Sequence, residues 1–416
     1  MIQTIYLLII GISTFLGLRN LKFLIPAVFV INIVTDSIIL LSEDFIINPG
    51  YIRLFTLLLL IISVFSKIVK DKTFLLIIIT IVYFLIIGLV NSSNFIVSIE
   101  GIAKLFIPFI FYPITLKLNE SINFTSERIL VKTLNYIVIY VTILFLVFQY
   151  FQIGESPYID GFFYLGGFNI QITYFLAYTI IMLIYFFKTQ KKNSKLHRVF
   201  KLIIIACAII SIIFIFRRTA ILSVLFSISS LFFIYKKNIL YFIFIGLFFI
   251  FYSNFFTVKN NIFDEIIEKR SRNELVDEGR YMEFFTIYKD LAYHGFPNFL
   301  LGNQLFNSKE YFEKESIFQL NNQSQLHTDA GAILHGSGVF GFLLYLIVLF
   351  SILKKVYKSA SKRDYIFPLL PILLSFVLFS ISGQYYIITA LSSFFIFLGF
   401  ISSDNKTITV YKRHLS

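Results

Sequence analysis

The chain has 416 residues, of which 58% are hydrophobic, 19% aromatic and only 14% charged. Soluble proteins have about 45–50% apolar and about 25% charged residues, so soluble domains could not bury this surplus and the chain requires lipid. A single cysteine, Cys207, excludes a disulfide framework and metal sites built from several thiolates. We therefore expect an integral membrane protein.

Long apolar runs follow one another along the chain and are separated by polar breaks. A transmembrane helix needs roughly 20 mainly apolar residues, whereas a barrel strand alternates in polarity over about ten. The sequence therefore predicts an all-α, polytopic helical membrane protein with about 12–13 transmembrane helices. The predicted spans are residues 2–18, 23–41, 51–66, 73–90, 99–116, 129–153, 169–187, 199–216, 219–235, 239–256, 328–352, 365–381 and 385–401.

Lysine and arginine concentrate in every second break. These breaks and the C-terminal tail hold 24 of the 36 basic residues, whereas the breaks at 42–50, 91–98 and 154–168 hold none. Because positively charged loops stay in the cytoplasm, we expect the N-terminus outside, the C-terminus inside and the long segment 257–327 outside. The net charge of +13 is therefore mainly a topology signal, and we expect no nucleic-acid partner.

This topology divides the chain into three parts. We predict an N-terminal transmembrane bundle over 1–256, a large extracytoplasmic loop over 257–327, and C-terminal transmembrane helices with a cytoplasmic tail over 328–416. The loop holds 11 of the 23 acidic and 8 of the 36 basic residues. Long structured loops are usually functional, so this loop is expected to carry the chemistry.

Residues 280–292 of the loop have the spacing of an amphipathic helix. We expect this helix to end at Gly295 and Pro297. Its apolar positions are Tyr281, Phe284, Phe285, Tyr288, Leu291 and Ala292. The residues that fall mainly elsewhere on the helical wheel are Arg280, Glu283, Lys289 and Asp290. Such a helix either closes the top of the bundle or forms a lid over a site that is open to the outer leaflet.

Ionisable groups within or at the ends of spans are costly and are therefore functional candidates. Arg217 and Arg218 form the tight break FRRTAIL, where they either bind a diphosphate through paired hydrogen bonds or extend to lipid phosphates. Lys104 lies in the fifth span with Glu100 one turn earlier, a spacing at which the two form an ion pair. Arg280 begins the predicted lid helix in GRYMEFF.

His327 lies where the large loop meets the eleventh span, next to Thr328 and Asp329. Neutral imidazole accepts a proton from a hydroxyl near pH 7, so His327 is a candidate general base; the alternative is a hydrogen-bonded structural group. His335, about two turns further on nearly the same face, is interpreted as structural. Three glycines that allow close helix packing follow, at Gly336, Gly338 and Gly341.

The order of these motifs resembles the O-antigen polymerase (Wzy-type) and O-antigen ligase superfamily of bacterial integral membrane glycosyltransferases. The resemblance lies in FRRTAIL, GRYMEFF, LLGNQLF (300–306) and the histidine at the end of the loop, and it covers roughly residues 200–345. The ligase pattern is His, then Asn, Ser or Gln, then nine residues, then Gly. Here His327 and Gly338 have the matching spacing, whereas Thr328 departs from the pattern and LLGNQLF lacks a second glycine.

The resemblance implies a GT-C-like fold and a polymerase of O-antigen or capsular/exopolysaccharide repeat units in the bacterial inner membrane. Glycan would pass from an undecaprenyl-diphosphate-linked donor to a hydroxyl of a lipid-linked acceptor at the outer leaflet. His327 is the expected base, with Glu283 and Asp329 as alternatives. The residues expected to bind the diphosphate are Arg217, Arg218, Arg280 and Lys104. No cofactor and no metal is expected, and the candidate partners are membrane lipids and a chain-length regulator protein.

Two other functions stay open. The first is ligation of the glycan to lipid A-core, and the second, of a different class, is transport of the lipid-linked oligosaccharide by a flippase. Transporters usually show two related halves and broken helices near the membrane midplane. The sequence has no evident internal repeat and its unusual charges collect at the predicted outer face, which favours the enzyme.

Overall fold

The computed structural model describes residues 2–39, 45–121, 125–151, 170–189, 195–214, 219–225, 279–314, 326, 328–361, 366–383 and 387–403. Arg217, Arg218 and His327 lie outside the described residues, as does the predicted span 239–256. Of the predicted span 219–235, only 219–225 is described, and it is helical.

The described residues form helices joined by turns, with no strand among them. Seven of these helices are long and apolar enough to cross a membrane, and three shorter apolar stretches occur at Ile172–Ile184, Leu369–Ile381 and Ile388–Ser403. The prediction of a polytopic helical membrane protein is thus confirmed. The seven long stretches are Ile2–Arg19, Leu21–Ile39, Pro49–Ile68, Lys72–Asn91, Phe95–Glu120, Ile129–Val147 and Asp329–Ala360.

The helices are named here in chain order. They are α1 (Ile2–Arg19), α2 (Leu24–Ile39, after a 3-10 turn at Leu21–Phe23), α3 (Pro49–Ile68), α4 (Lys72–Asn91), α5 (Phe95–Ser121), α6 (Thr125–Phe151), α7 (Ile170–Thr189), α8 (Lys195–Phe214), α9 (Gly279–Tyr293), α10 (Phe296–Leu301), α11 (Ser308–Lys314), α12 (Asp329–Ser361), α13 (Ile366–Ser382) and α14 (Ile388–Ser403). Three of them, α9, α10 and α11, belong to the large loop identified in the sequence.

Polar residues in the breaks fix where the spans begin. Asn48 precedes α3, accepts a hydrogen bond from the backbone N–H of Gly50 at 2.8 Å and is followed by Pro49, whose fixed φ suits a first helical position. Asp71 precedes α4 and accepts from the N–H groups of Thr73 and Phe74 at 2.7 and 3.2 Å. The short polar breaks therefore cap the spans that follow them.

We call the end of the bundle at which α4 ends and α5 begins the upper end, and the end at which α3 ends and α4 begins the lower end. α12 packs along α4 and runs from the upper to the lower end. At the lower end the Lys355 ammonium donates to the hydroxyl of Thr73 and lies 3.6 Å from the Asp71 carboxylate. Gly338, with φ 64°, interrupts α12 and divides it into an upper part, 329–337, and a lower part, 339–361.

The last helix, α14, lies in the centre of the bundle and packs most extensively against α5. Gly399 allows this approach, because a Cβ there would lie 2.7 Å from Thr115 Cβ and 2.9 Å from the carbonyl oxygen of Tyr112. Further up, the rings of Phe109 and Phe395 lie 4.0 Å apart between their centroids. Gly399 thus brings the two backbones close together, and aromatic rings contact each other further along the same pair of helices.

A buried ion pair joins three of these helices near the upper end. The Arg53 guanidinium on α3 lies 2.5 Å from the Asp36 carboxylate on α2, and the hydroxyl of Thr389 on α14 donates to the same carboxylate. The Asp36 and Arg53 side chains are both buried. Asp36 and Arg53 lie inside two runs that the sequence marks only as apolar spans, and their pairing is not among the predictions.

Candidate functional site

Helix α9 turns its carboxylates toward the bundle and its aromatic residues away from it. Glu283, Ile287, Asp290 and Leu291 are buried, whereas Phe284, Phe285 and Tyr288 are exposed. The helix has two unlike sides, as the sequence predicts, but the inward side carries the carboxylates, and two residues lie on the side opposite to the predicted one: Leu291 is buried with the carboxylates and Lys289 is exposed with the aromatic rings. The reason is that strong hydrogen-bond donors meet both carboxylates there.

Glu283 binds the beginning of α12. Its Oε1 atom accepts hydrogen bonds from the backbone N–H and the hydroxyl of Thr328, at 3.0 and 2.7 Å. The Thr328 hydroxyl in turn accepts from the N–H of Gly331 at 3.0 Å, so Thr328 caps the helix. A Cβ on Gly331 would lie 2.5 Å from Glu283 Oε1, and this glycine therefore makes room for the carboxylate. A negative charge at a helix N-terminus is favourable, which stabilises the contact between α9 and α12.

Asp290 is the centre of a second polar cluster. Its carboxylate accepts from the Tyr311 hydroxyl at 2.8 Å and lies 3.2 Å from His335 Nε2. Because a carboxylate only accepts, His335 carries its proton on Nε2. Burial by itself raises the pKa of Asp290, but the hydrogen bonds from His335 and Tyr311 outweigh this effect and hold that pKa below its usual value.

The same cluster extends to the surface through His294. Its Nε2 atom lies 2.9 Å from the Tyr311 hydroxyl, and because that hydroxyl donates to Asp290, His294 is the donor in this contact. Asp290, Tyr311 and His335 are buried, whereas His294 is exposed. A continuous hydrogen-bonded chain therefore joins α9, α11 and the upper part of α12.

The LLGNQLF stretch forms a tight turn that crosses α12 at its break. Gly302, with φ 83°, meets Gly338, with φ 64°, and a Cβ on Gly338 would lie 2.5 Å from the N atom of Gly302. Gln304 and Phe306 also have positive φ, at 50° and 56°, a conformation that side-chain-bearing residues rarely adopt. Such strained residues persist only where the surrounding contacts hold them, and they cluster at functional sites.

Hydrogen bonds attach this turn to the α4–α5 connection at the upper end. The Asn91 side chain donates to the Gly302 carbonyl at 3.0 Å, and its own carbonyl accepts from the N–H of Gln304 at 2.9 Å. The Ser98 hydroxyl donates to the Leu305 carbonyl at 2.7 Å. On the other side, the N–H of Asn303 donates to the His335 carbonyl at 2.7 Å. The turn thus connects the membrane bundle with the upper part of α12.

The structure places four of the sequence-predicted site residues. Lys104 forms the expected ion pair with Glu100, at 2.5 Å, on a partly exposed face of α5. Glu283 binds Thr328, and Asp329 follows as the first residue of α12 and is buried. Arg280 is the second residue of α9, one turn before Glu283, and the structure describes its backbone but not its side chain. The structure therefore brings Glu283, Thr328 and Asp329 together.

Sequence reasoning missed the roles of Asp290, Tyr311 and His294. Asp290 is read there only as part of a polar face, and the hydrogen-bonded position of His335 agrees with its structural interpretation. The spacing of residues along the chain gives no signal for these contacts, because they join helices that are 17 to 45 residues apart. Among the described residues, no group of three or more His, Cys, Asp or Glu side chains is arranged to hold a metal ion.

No protein-family model matches this chain, and a search of curated proteins gives no match. The resemblance to the polymerase and ligase superfamily therefore depends on the sequence motifs alone.

Proposed function

We propose that this protein polymerises lipid-linked oligosaccharide repeat units in the bacterial inner membrane. It transfers glycan from an undecaprenyl-diphosphate donor to a hydroxyl of a second lipid-linked oligosaccharide at the outer leaflet. The observation that carries the proposal is the crossing of Gly302 and Gly338, which packs the LLGNQLF turn against the end of the segment 328–338 at the upper end. Two parts of the resemblance that are separate in sequence thus meet at one place, beside α9, the helix that contains Arg280.

The proposal includes the finer topology. The upper end is the outer face, the N-terminus is outside and the C-terminus inside, and the fold is GT-C-like with about 12–13 spans. The distribution of charge supports this orientation, because Lys67, Lys70 and Lys355 lie at the lower end whereas the α4–α5 connection at the upper end has no basic residue.

In the proposed reaction, the acceptor hydroxyl oxygen forms a bond to the anomeric carbon of the donor sugar as the bond from that carbon to the diphosphate oxygen breaks. The bonding electron pair leaves with the diphosphate, and His327 takes the hydroxyl proton. The cationic side chains that stabilise the departing diphosphate are Arg217, Arg218, Arg280 and Lys104. Asp329 and Glu283 are the alternative bases, but both are buried and Glu283 already accepts two hydrogen bonds from Thr328.

Glycan analysis in a deletion strain tests the proposal. Single repeat units on lipid A with no long chains indicate a polymerase. Long chains that accumulate on the undecaprenyl carrier instead indicate the ligase alternative, and repeat units that accumulate on the cytoplasmic side indicate the flippase. Either of these last two results overturns the proposed polymerisation.

The first prediction concerns His327. With membrane insertion preserved, His327→Ala should abolish long chains and leave only single repeat units, the pattern expected of the deletion strain, because no group then accepts the hydroxyl proton. His414→Ala, which removes a histidine of the tail predicted to lie inside, is the matched control and should give normal chain lengths. Normal chains from His327→Ala would show that His327 is not the base.

A further inference from the structure

Several of the exposed, described side chains of α9 and α10 are aromatic, and the cation Lys289 lies among them. Phe284, Phe285, Tyr288 and Phe296, which we call the aromatic face, are 41%, 47%, 61% and 71% exposed. The Lys289 ammonium lies 4.2 Å from the centre of the Phe285 ring. Water-soluble surfaces rarely expose so many large apolar side chains side by side, so this face requires a partner.

The position of this face relative to the membrane follows from α4. This helix has 20 residues, of which an 18-residue stretch has a mean hydropathy of 3.0, and at about 1.5 Å per residue it is about as long as the hydrocarbon layer is thick. Asn91, its last residue, therefore marks the upper boundary of that layer. The same Asn91 donates to the carbonyls of Leu301 and Gly302 at 3.4 and 3.0 Å, which places the end of α10 at this boundary.

The aromatic face begins within one headgroup layer of the hydrocarbon. α10 has only six residues, so Phe296 lies no more than about 9 Å from the level of Asn91. A bilayer is about 40–45 Å thick in total and its hydrocarbon core about 30 Å, so each of the two headgroup layers is roughly 5–8 Å thick. Phe296 thus lies in or next to the headgroup layer, and α9, which carries the other three aromatic residues, ends at Tyr293, just before it in the chain.

We propose that the aromatic face binds the phospholipid headgroup layer of the leaflet at the upper end, so that α9 is held by lipid on one side and by the bundle on the other. Aromatic rings are favoured at this depth, where one part of the side chain is apolar and another is hydrated. Lys289 can extend along the Phe285 ring and place its ammonium near lipid phosphates.

The charges of α9 fit this partner. Glu283 and Asp290, which phosphates would repel, face the bundle and are hydrogen-bonded to Thr328 and His335. Lys289, which phosphates attract, is on the lipid-facing side with the aromatic rings. The proposal concerns only how α9 is seated in the membrane, and it does not depend on glycosyl transfer.

The chain contains no tryptophan, which makes a direct test simple. Phe285→Trp, Tyr288→Trp and Phe296→Trp each give a protein with one tryptophan and keep an aromatic ring at the site. In phosphatidylcholine nanodiscs we expect its emission to shift to shorter wavelength and to be quenched by brominated phosphatidylcholine, but only weakly by iodide.

Two matched variants calibrate the readout. Phe15→Trp lies on an exposed part of the apolar helix α1 and should be quenched by the brominated lipid. Lys309→Trp lies on the exposed side of α11 and should be quenched by iodide. If the aromatic-face variants behave like Lys309→Trp, the face is in water; if neither quencher reaches them, another part of the protein covers the face. Either result overturns the proposal, and the three positions keep the test valid if one variant fails to fold.

Discussion

At the scale of single residues, the two inward carboxylates of α9 have different tasks. Glu283 accepts two hydrogen bonds from Thr328 at the positive end of α12. Both bonds go to its Oε1 atom, so this oxygen already has its partners within the protein. Glu283 is therefore best understood as the anchor of α9 on the residue that follows His327, which favours His327 over Glu283 as the proposed base.

Asp290 makes the stability of this region depend on pH. Because hydrogen bonds from His335 and Tyr311 hold its pKa below the usual value of about 3.9, it stabilises the fold above about pH 4, and this contribution is lost as the pH falls through the folded-state pKa. We expect Asp290→Asn to lower the free energy of unfolding at pH 7 by about 1–3 kcal/mol. The difference from the parent should shrink below about pH 4, as measured by thermal unfolding in detergent.

Glu313→Gln is the control for this measurement, since Glu313 is an exposed carboxylate on the neighbouring helix α11. It should match the parent protein at every pH. A deficit of Asp290→Asn that stays constant down to pH 3 would contradict the assigned role of the Asp290 charge.

At the scale of elements, the crossing of the LLGNQLF turn over α12 depends on two glycines. An alanine at Gly338 would have to adopt φ 64° and would place its Cβ 2.5 Å from the N atom of Gly302. We expect Gly338→Ala and Gly302→Ala each to reduce stability by at least about 1–3 kcal/mol, the cost of a strained backbone conformation. Thermal unfolding of the purified variants in detergent measures this.

Gly11→Ala is the matched glycine control. Gly11 lies within α1, and a Cβ there would meet no atom within 4 Å. Because alanine favours a helix over glycine by about 1 kcal/mol, this variant should be as stable as the parent or slightly more stable. Equal unfolding temperatures for Gly338→Ala and Gly11→Ala would show that the crossing does not hold the turn.

The elements also show what the sequence can predict. Hydropathy identified the spans, because a run of about 20 apolar residues has few alternatives to a membrane helix. The pattern of α9 revealed two unlike sides but not which one faces inward, since that depends on donors from Thr328 and His335, 45 residues away. Gly302 and Gly338 were visible in the sequence, but nothing in their spacing indicates that they touch.

At the scale of the whole molecule, the Asp36–Arg53 pair connects the beginning of the chain with its end. Thr389 on the central helix α14 contacts both side chains, so α2, α3 and α14 share one buried polar contact. The sequence signal for it exists, because an ionisable residue within an apolar span needs a partner. The sequence does not show that Asp36 and Arg53 pair with each other. Their pairing follows from the packing of α14 against α2 and α3, which precede it by more than 300 residues.

This arrangement predicts a strongly non-additive pair of substitutions. Asp36→Leu or Arg53→Met alone leaves one buried charge without its partner and should cost about 3–5 kcal/mol, whereas the double variant should cost much less than the sum because neither charge remains. The control is Lys117–Glu120, a 3.0 Å pair whose side chains are 35% exposed, for which Lys117→Ala should cost less than about 1 kcal/mol. Additive losses at Asp36 and Arg53 in thermal unfolding would show that the two charges do not stabilise the bundle as a pair.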